Sequence, residues 1–172
     1  MVESGNNIKR IIGQLLSIGG TLIMVAAIAV CLALMIPKLA GYSSYVVVSG
    51  SMEPNIPVGS LALSKKVDPA TLETGDVIVF VNPARGTTPI THRVVSNDTA
   101  NGKIVTKGDA NESEDVNPAT YENVVGKVEV HVPYAGSLAS MLTSALGKIT
   151  AAMVFIEAWL LIEIGRRLKA EA

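Results

Sequence analysis

The sequence carries a corner serine, a strand histidine and a pair of loop carboxylates, the side-chain types that hydrolysis by a serine nucleophile requires. In Val46-Val47-Val48-Ser49-Gly50-Ser51-Met52-Glu53-Pro54 a β-branched run, the mark of a buried strand, stops at a Ser-Gly-Ser corner. Pro54 and Pro57 then bar a helix, and glycine lets the backbone turn sharply, so the Ser51 hydroxyl can stand clear of the sheet. Such a nucleophile needs a base for its proton and donors for the developing oxyanion. The chain has two histidines, 92 and 131. His92, in Pro89-Ile90-Thr91-His92-Arg93-Val94-Val95, falls in an expected strand on the face opposite Thr91 and Arg93. His131 lies where the chain leaves the same region. The acidic stretch from Asp109 to Asp115 follows Thr106-Lys107-Gly108. Each feature has a plainer reading: a polar hairpin turn, a structural histidine, an acidic loop that keeps a turn soluble.

The elements that must position these residues are bounded by composition. The chain has 172 residues, a formal net charge of −1, 49% hydrophobic residues, only 4% aromatics and a mean hydropathy of +0.42. That mix suggests lipid-facing aliphatic segments rather than one large soluble core. Near-neutral charge without a basic stripe argues against nucleic acid. Cys31 is alone, which excludes an internal disulfide and a cysteine-based metal cage.

Lys9-Arg10 precede an uncharged run, Ile11 to Ile36, of 26 residues. As a helix it would extend about 39 Å against a hydrocarbon core of about 30 Å. A cleaved signal peptide has a shorter apolar core, so the run reads as a retained anchor over 11–37, ended by Pro37, although Leu39-Ala40-Gly41 has the residue sizes of a cleavage site. A second run, Ile149 to Ile164, is weaker: it contains Glu157 and Glu163. At the bilayer centre such a charge costs at least about 2.5 kcal/mol. Glu157 therefore faces a partner, is protonated, or lies shallow on a helix that rests at the interface. The segment 149–165 is read as a second transmembrane or interfacial helix. Residues 1–10 and the basic tail 166–172 would then be cytoplasmic, since Lys9, Arg10, Arg166, Arg167 and Lys169 outnumber Lys38 and Lys148.

Between these segments, 41–137 reads as a compact antiparallel β module outside the cytoplasm, with seven basic and eleven acidic residues. Strands are expected near Tyr45–Val48, Leu61–Lys65, Val77–Val81, Ile90–Val95, Lys103–Thr106 and Val124–Val130, with Asn101-Gly102 as a two-residue hairpin turn. The fold class is therefore mainly β, with N-terminal and C-terminal membrane helices. Asn97-Asp98-Thr99 and Asn111-Glu112-Ser113 fit the glycan-acceptor pattern on an exterior domain.

Taken together, Ser51-Met52-Glu53-Pro54, Gly75-Asp76-Val77-Ile78-Val79-Phe80, Thr91-His92-Arg93-Val94-Val95 and Lys107-Gly108-Asp109-Ala110-Asn111, in this order behind an anchor, resemble the type I signal peptidases. The likeness is to the endoplasmic-reticulum type shared with archaea and some Gram-positive bacteria, the SipW-like branch. The usual bacterial branch has a lysine followed by arginine where this chain has His92, so the resemblance implies a Ser-His-Asp arrangement instead of a Ser-Lys dyad. It implies Ser51 as nucleophile, His92 as general base and Asp115 as the residue that orients the histidine. Asp109 would either shape the site or share that role. The Ser51 backbone N–H and the Ser49 hydroxyl would form the oxyanion hole. The substrate would lie extended along an exposed strand, with Tyr45, Val47, Met52 and Phe80 as candidate contacts. Met52, Ile56 and Pro57 would rest on lipid. The chemistry needs no metal or organic cofactor.

The function so implied is a membrane-bound serine endopeptidase that removes signal peptides from secreted preproteins after small residues. The membrane would be a prokaryotic plasma membrane or the endoplasmic reticulum. The alternatives are a specialised processing peptidase with few substrates and a non-catalytic, membrane-anchored β module that binds a partner.

Overall fold

A computed structural model describes residues 2–83 and 86–172; Met1, in the 1–10 segment, and Ala84-Arg85, in the 41–137 module, lie outside the described residues. The chain divides into two compact units, one built from residues 1–35 and 141–172 and the other from 36–140.

The first unit is helical. α1 (Val2–Leu39) has 38 residues and α3 (Ala145–Ala170) has 26, and both are long and apolar enough to cross a membrane. α3 outruns the apolar stretch that suggested it, because Ser144 caps its start by accepting the Gly147 N–H at 3.0 Å. α1 runs two residues beyond Pro37, which sits in the final turn, so the proline removes one ladder hydrogen bond close to the helix end and the helix stops soon after it. The two helices are antiparallel and pack through small residues. A Cβ on Gly13 would come 2.7 Å from the Gly165 carbonyl oxygen, and one on Gly20 would come 2.8 Å from that of Ala158. Only residues without bulk allow backbones this near, and close van der Waals packing is what joins helices in an apolar medium.

The second unit is a seven-stranded antiparallel sheet in the order β1-β2-β7-β3-β4-β5-β6. The strands are β1 (Tyr42–Val46), β2 (Leu61–Lys65), β3 (Val77–Val81), β4 (Pro89–Asp98), β5 (Lys103–Lys107), β6 (Ala119–Thr120) and β7 (Val124–Val132), followed by the short helix α2 (Ala135–Thr143). β3 lies between β4 and β7 and divides two hydrophobic clusters. Ile78 and Phe80 point into one with Leu72, Val94, Ile104 and Ala119; Val77 packs against the other, made of Val47, Met52, Ile56 and Ala62. This is the period-two alternation of a strand with both faces covered.

Four expectations need correction. The chain as a whole is not mainly β, because among the described residues three α-helices hold more residues than seven strands. The first strand ends at Val46, so Val47 and Val48 follow it rather than form it, and Val48 is 78% exposed. The β4–β5 connection is four residues long, because the Asp98 carboxylate accepts the Ala100 and Asn101 N–H groups and braces a wider turn. Met52 and Ile56 do not rest on lipid: they are 1% and 2% exposed and form part of the core.

Candidate active site

The serine corner is held by its neighbours rather than by its own side chain. Gly50–Met52 forms one 3-10 turn, and the Ile56 N–H donates to the Met52 carbonyl at 2.8 Å. Val47, Met52 and Ile56 sink into the second cluster on either side of it, fixing the corner from below. The loop after β5 grips it from the other side: the Ala110 N–H donates to the Ser51 carbonyl at 2.9 Å. A Cβ at Gly108 would stand 2.6 Å from that carbonyl oxygen, so only glycine permits the approach. The Ser51 and Ser49 hydroxyl oxygens are 3.4 Å apart.

His92 projects from β4 on the same face as Val94 and is buried, with the Phe80 ring edge-on at 6.3 Å between centroids. Its Nδ1 lies 2.6 Å from Asp115 Oδ2, and that oxygen also accepts the Thr106 hydroxyl at 2.6 Å. A carboxylate only accepts, so the ring proton resides on Nδ1 and leaves the Nε2 lone pair for another proton. Asp115 is tied down further by its own N–H, which donates to the Thr106 carbonyl at 2.8 Å.

Asp109 has different company. Arg93 Nε and Nη2 donate to its two oxygens at 2.8 and 2.6 Å, and Asn55 Nδ2 donates to Oδ2 at 2.8 Å. Arg93 also donates to the Gly75 carbonyl at 2.7 Å. The Arg93 hydrogen bonds hold the Asp109 carboxyl below the usual carboxylate range against the opposing effect of burial, with Asn55 assisting. In return Asp109 raises the Arg93 guanidinium pKa still further.

A cavity of about 360 Å³ brings the corner and the histidine together. Val46–Ser49, Ser51 and Met52 line it from one stretch, Thr88–His92 from another, and Asn111 completes it. β5 pairs with β4 only from Arg93 onward, so Pro89–His92 are matched to β3 alone. Of the residues singled out in the sequence, Ser49, Ser51, Val47, Met52 and His92 line this cavity. Tyr45 stands outside the lining, paired with Ala62, and Phe80 is core, 1% exposed behind the histidine. His131 is exposed on β7, opposite Ala62. Thr106, Arg93 and Asn55 were not singled out as partners of the two aspartates. Arg93 was within reach of the sequence, since strand alternation sets it on the face opposite His92 and Asp109 follows its pairing partner Lys107 by two residues.

Residues 20–98 match the family described as signal peptidase, peptidase S26. Signal peptidase I W of Bacillus subtilis is 42% identical over 91 residues, covering 51% of this chain and 47% of that protein. The human signal peptidase complex catalytic subunit SEC11C is 36% identical over 126 residues, covering 64% of this chain and 65% of the relative. The SEC11 subunit of Yarrowia lipolytica is 34% identical over 132 residues, covering 65% of this chain and 73% of that one. The chain belongs to the signal peptidase family. Within the type I signal peptidases it sides with the branch of the endoplasmic-reticulum subunits and the Bacillus W-type enzyme. This signal peptidase homologue matches about half the length of the Bacillus relative and about two thirds of the human one.

Proposed function

We propose that this chain is a membrane-bound serine endopeptidase that cleaves N-terminal signal peptides from secreted preproteins after small residues. The observation that carries the proposal is that Ser51 and His92 line one cavity while Asp115 holds the far side of the imidazole at 2.6 Å. In this reading His92 Nε2 takes the Ser51 proton as the hydroxyl attacks the scissile carbonyl. Asp115 keeps the ring in the required tautomer and stabilises the imidazolium, which then protonates the leaving amine. Water hydrolyses the acyl-enzyme by the same route reversed. The Ser51 N–H, in the first turn of a 3-10 segment where amides lack internal partners, and the Ser49 hydroxyl are assigned to the oxyanion. Asp109, bound to Arg93 and Asn55, is assigned to the scaffold.

The substrate is assigned an extended path between Val46–Val48 and the unpaired side of Pro89–Thr91, where main-chain hydrogen bonds bind any sequence. Val47, Met52 and Ile90 are the apolar surfaces for small side chains before the cut. α1 and α3 are assigned to the membrane, with both termini cytoplasmic and the β unit outside, on the distribution of Lys9, Arg10, Arg166, Arg167 and Lys169. The test is cleavage of a secretory preprotein by the detergent-solubilised full chain beside Ser51→Ala and His92→Ala. A shortened product from the unaltered chain alone is expected, with each variant folded and reduced by at least about 10³-fold. Retained activity in Ser51→Ala would overturn the nucleophile, and failure of all three across a panel of preproteins would favour the non-catalytic binding module.

A further inference from the structure

Among the described residues, the helical unit carries one charge inside an apolar stretch, Glu157, with no ion pair or hydrogen bond to answer it. Glu157 lies nine residues after Lys148 and nine before Arg166, about 13.5 Å along the axis from either. It is therefore midway between the cations that flank the apolar stretch, at the depth where a charge is least tolerated. Glu163, near the helix end, is bound by Arg166 and Arg167 at 3.5 and 3.0 Å. Glu157 has no such partner among the described residues. Three hydroxyls of the two long helices are spent on their own helices: Ser17 donates to the Gly13 carbonyl, Thr21 to that of Ser17 and Thr150 to that of Leu146.

Its direction matters as much as its depth. Ala158, the next residue, is fully buried against α1, whereas Glu157 is exposed among Met153, Ile156, Leu160 and Ile164. Those positions form one face of α3 turned away from α1, and apart from Glu157 they are apolar.

We propose that this face docks a membrane-spanning helix of a second protein that carries a lysine or arginine at mid-depth, with Glu157 as its counter-charge. Charge complementarity selects this occupant over a second copy of the chain. Neither Ile11–Ile36 nor Ile149–Ile164 contains a lysine or arginine, so a copy would bring only another Glu157. Lipid alone would leave the carboxyl unanswered.

The test uses the full chain in phosphatidylcholine vesicles with designed leucine-alanine membrane peptides bearing lysine, leucine or glutamate at the centre, and energy transfer as the readout. The lysine peptide should associate at least tenfold more tightly than the leucine peptide. Glu157→Gln should erase the difference, and Glu157→Lys should transfer the preference to the glutamate peptide. Equal association of the lysine and leucine peptides with the unaltered chain would overturn the proposal, and that comparison requires no variant to insert correctly. Glu157-dependent energy transfer between two labelled copies, without peptide, would overturn it in favour of self-association.

Discussion

Asp109 and Asp115 stand six residues apart in one loop, yet neighbouring residues of one strand divide them. His92 and Arg93 point to opposite faces of β4, so each aspartate meets the residue on its own side. Asp115 joins a buried histidine and a fully buried threonine. Asp109 joins an arginine that is 34% exposed, together with the Asn55 amide from the segment after the serine corner. The first arrangement can steer a proton; the second ties three chain segments together with charge that stays in place. In the proposed mechanism, the two faces of one strand thus separate chemistry from scaffolding.

The contrast can be broken in graded steps. Asp115→Asn should lower turnover by about 10³–10⁴-fold while the protein stays folded, because the amide no longer enforces the tautomer; single-turnover cleavage measures it. Thr106→Val should cost about tenfold in kcat at unchanged KM, the worth of one hydrogen bond to a charged group, and Thr106→Ser should recover most of it. Asp109→Asn should act mainly on stability, by about 1–3 kcal/mol in denaturant unfolding, with far less loss of cleavage than Asp115→Asn. Because the Asp109 carboxyl is held below its usual 3.8, its contribution is complete above that pH and disappears as pH falls through the lowered native value. Unfolding below about pH 3.8 should therefore be less steep in Asp109→Asn than in the unaltered chain. Equal losses of cleavage in the two asparagine variants would mean that both carboxylates serve the histidine. His131→Ala, on an exposed strand position, should change stability by no more than about 0.5 kcal/mol and leave cleavage intact.

Much of the β unit was legible because its strands are dense in β-branched residues and bounded by turn signals. Leu61–Lys65 and Val77–Val81 begin and end where the pattern puts them. β6 was not legible: two residues, Ala119 and Thr120, give no periodicity, and only pairing with β5 defines them. Val47 and Val48 misled because β-branching marks extended backbone, whether or not a ladder continues through it. In the site, residue types and order pointed to Ser51, His92 and the acidic loop; only the family resemblance, and not the residues themselves, favoured Asp115 over Asp109 as the carboxylate that touches the ring. That choice depends on the register Val94↔Thr106, which sets Thr106 and Asp115 on the histidine's side, and register is a long-range property. The glycan-acceptor pattern at Asn97 shows the same limit. Its amide donates to the Pro69 and Leu72 carbonyls and its oxygen accepts from Tyr121, contacts invisible in a tripeptide.

The grip on the serine corner bears on how the natural clients of this protein could be found. Ser51 is fixed through its carbonyl, by the Ala110 N–H and the close pass of Gly108, and through the buried Met52 beside it. None of those contacts involves the hydroxyl. Deleting that oxygen therefore removes the proposed nucleophile and leaves the contacts that shape the corner in place. If Ser51 is the nucleophile proposed above, a Ser51→Ala chain returned to its own membrane should hold uncut precursors without turning them over, and whatever accumulates on it would be a census of its substrates.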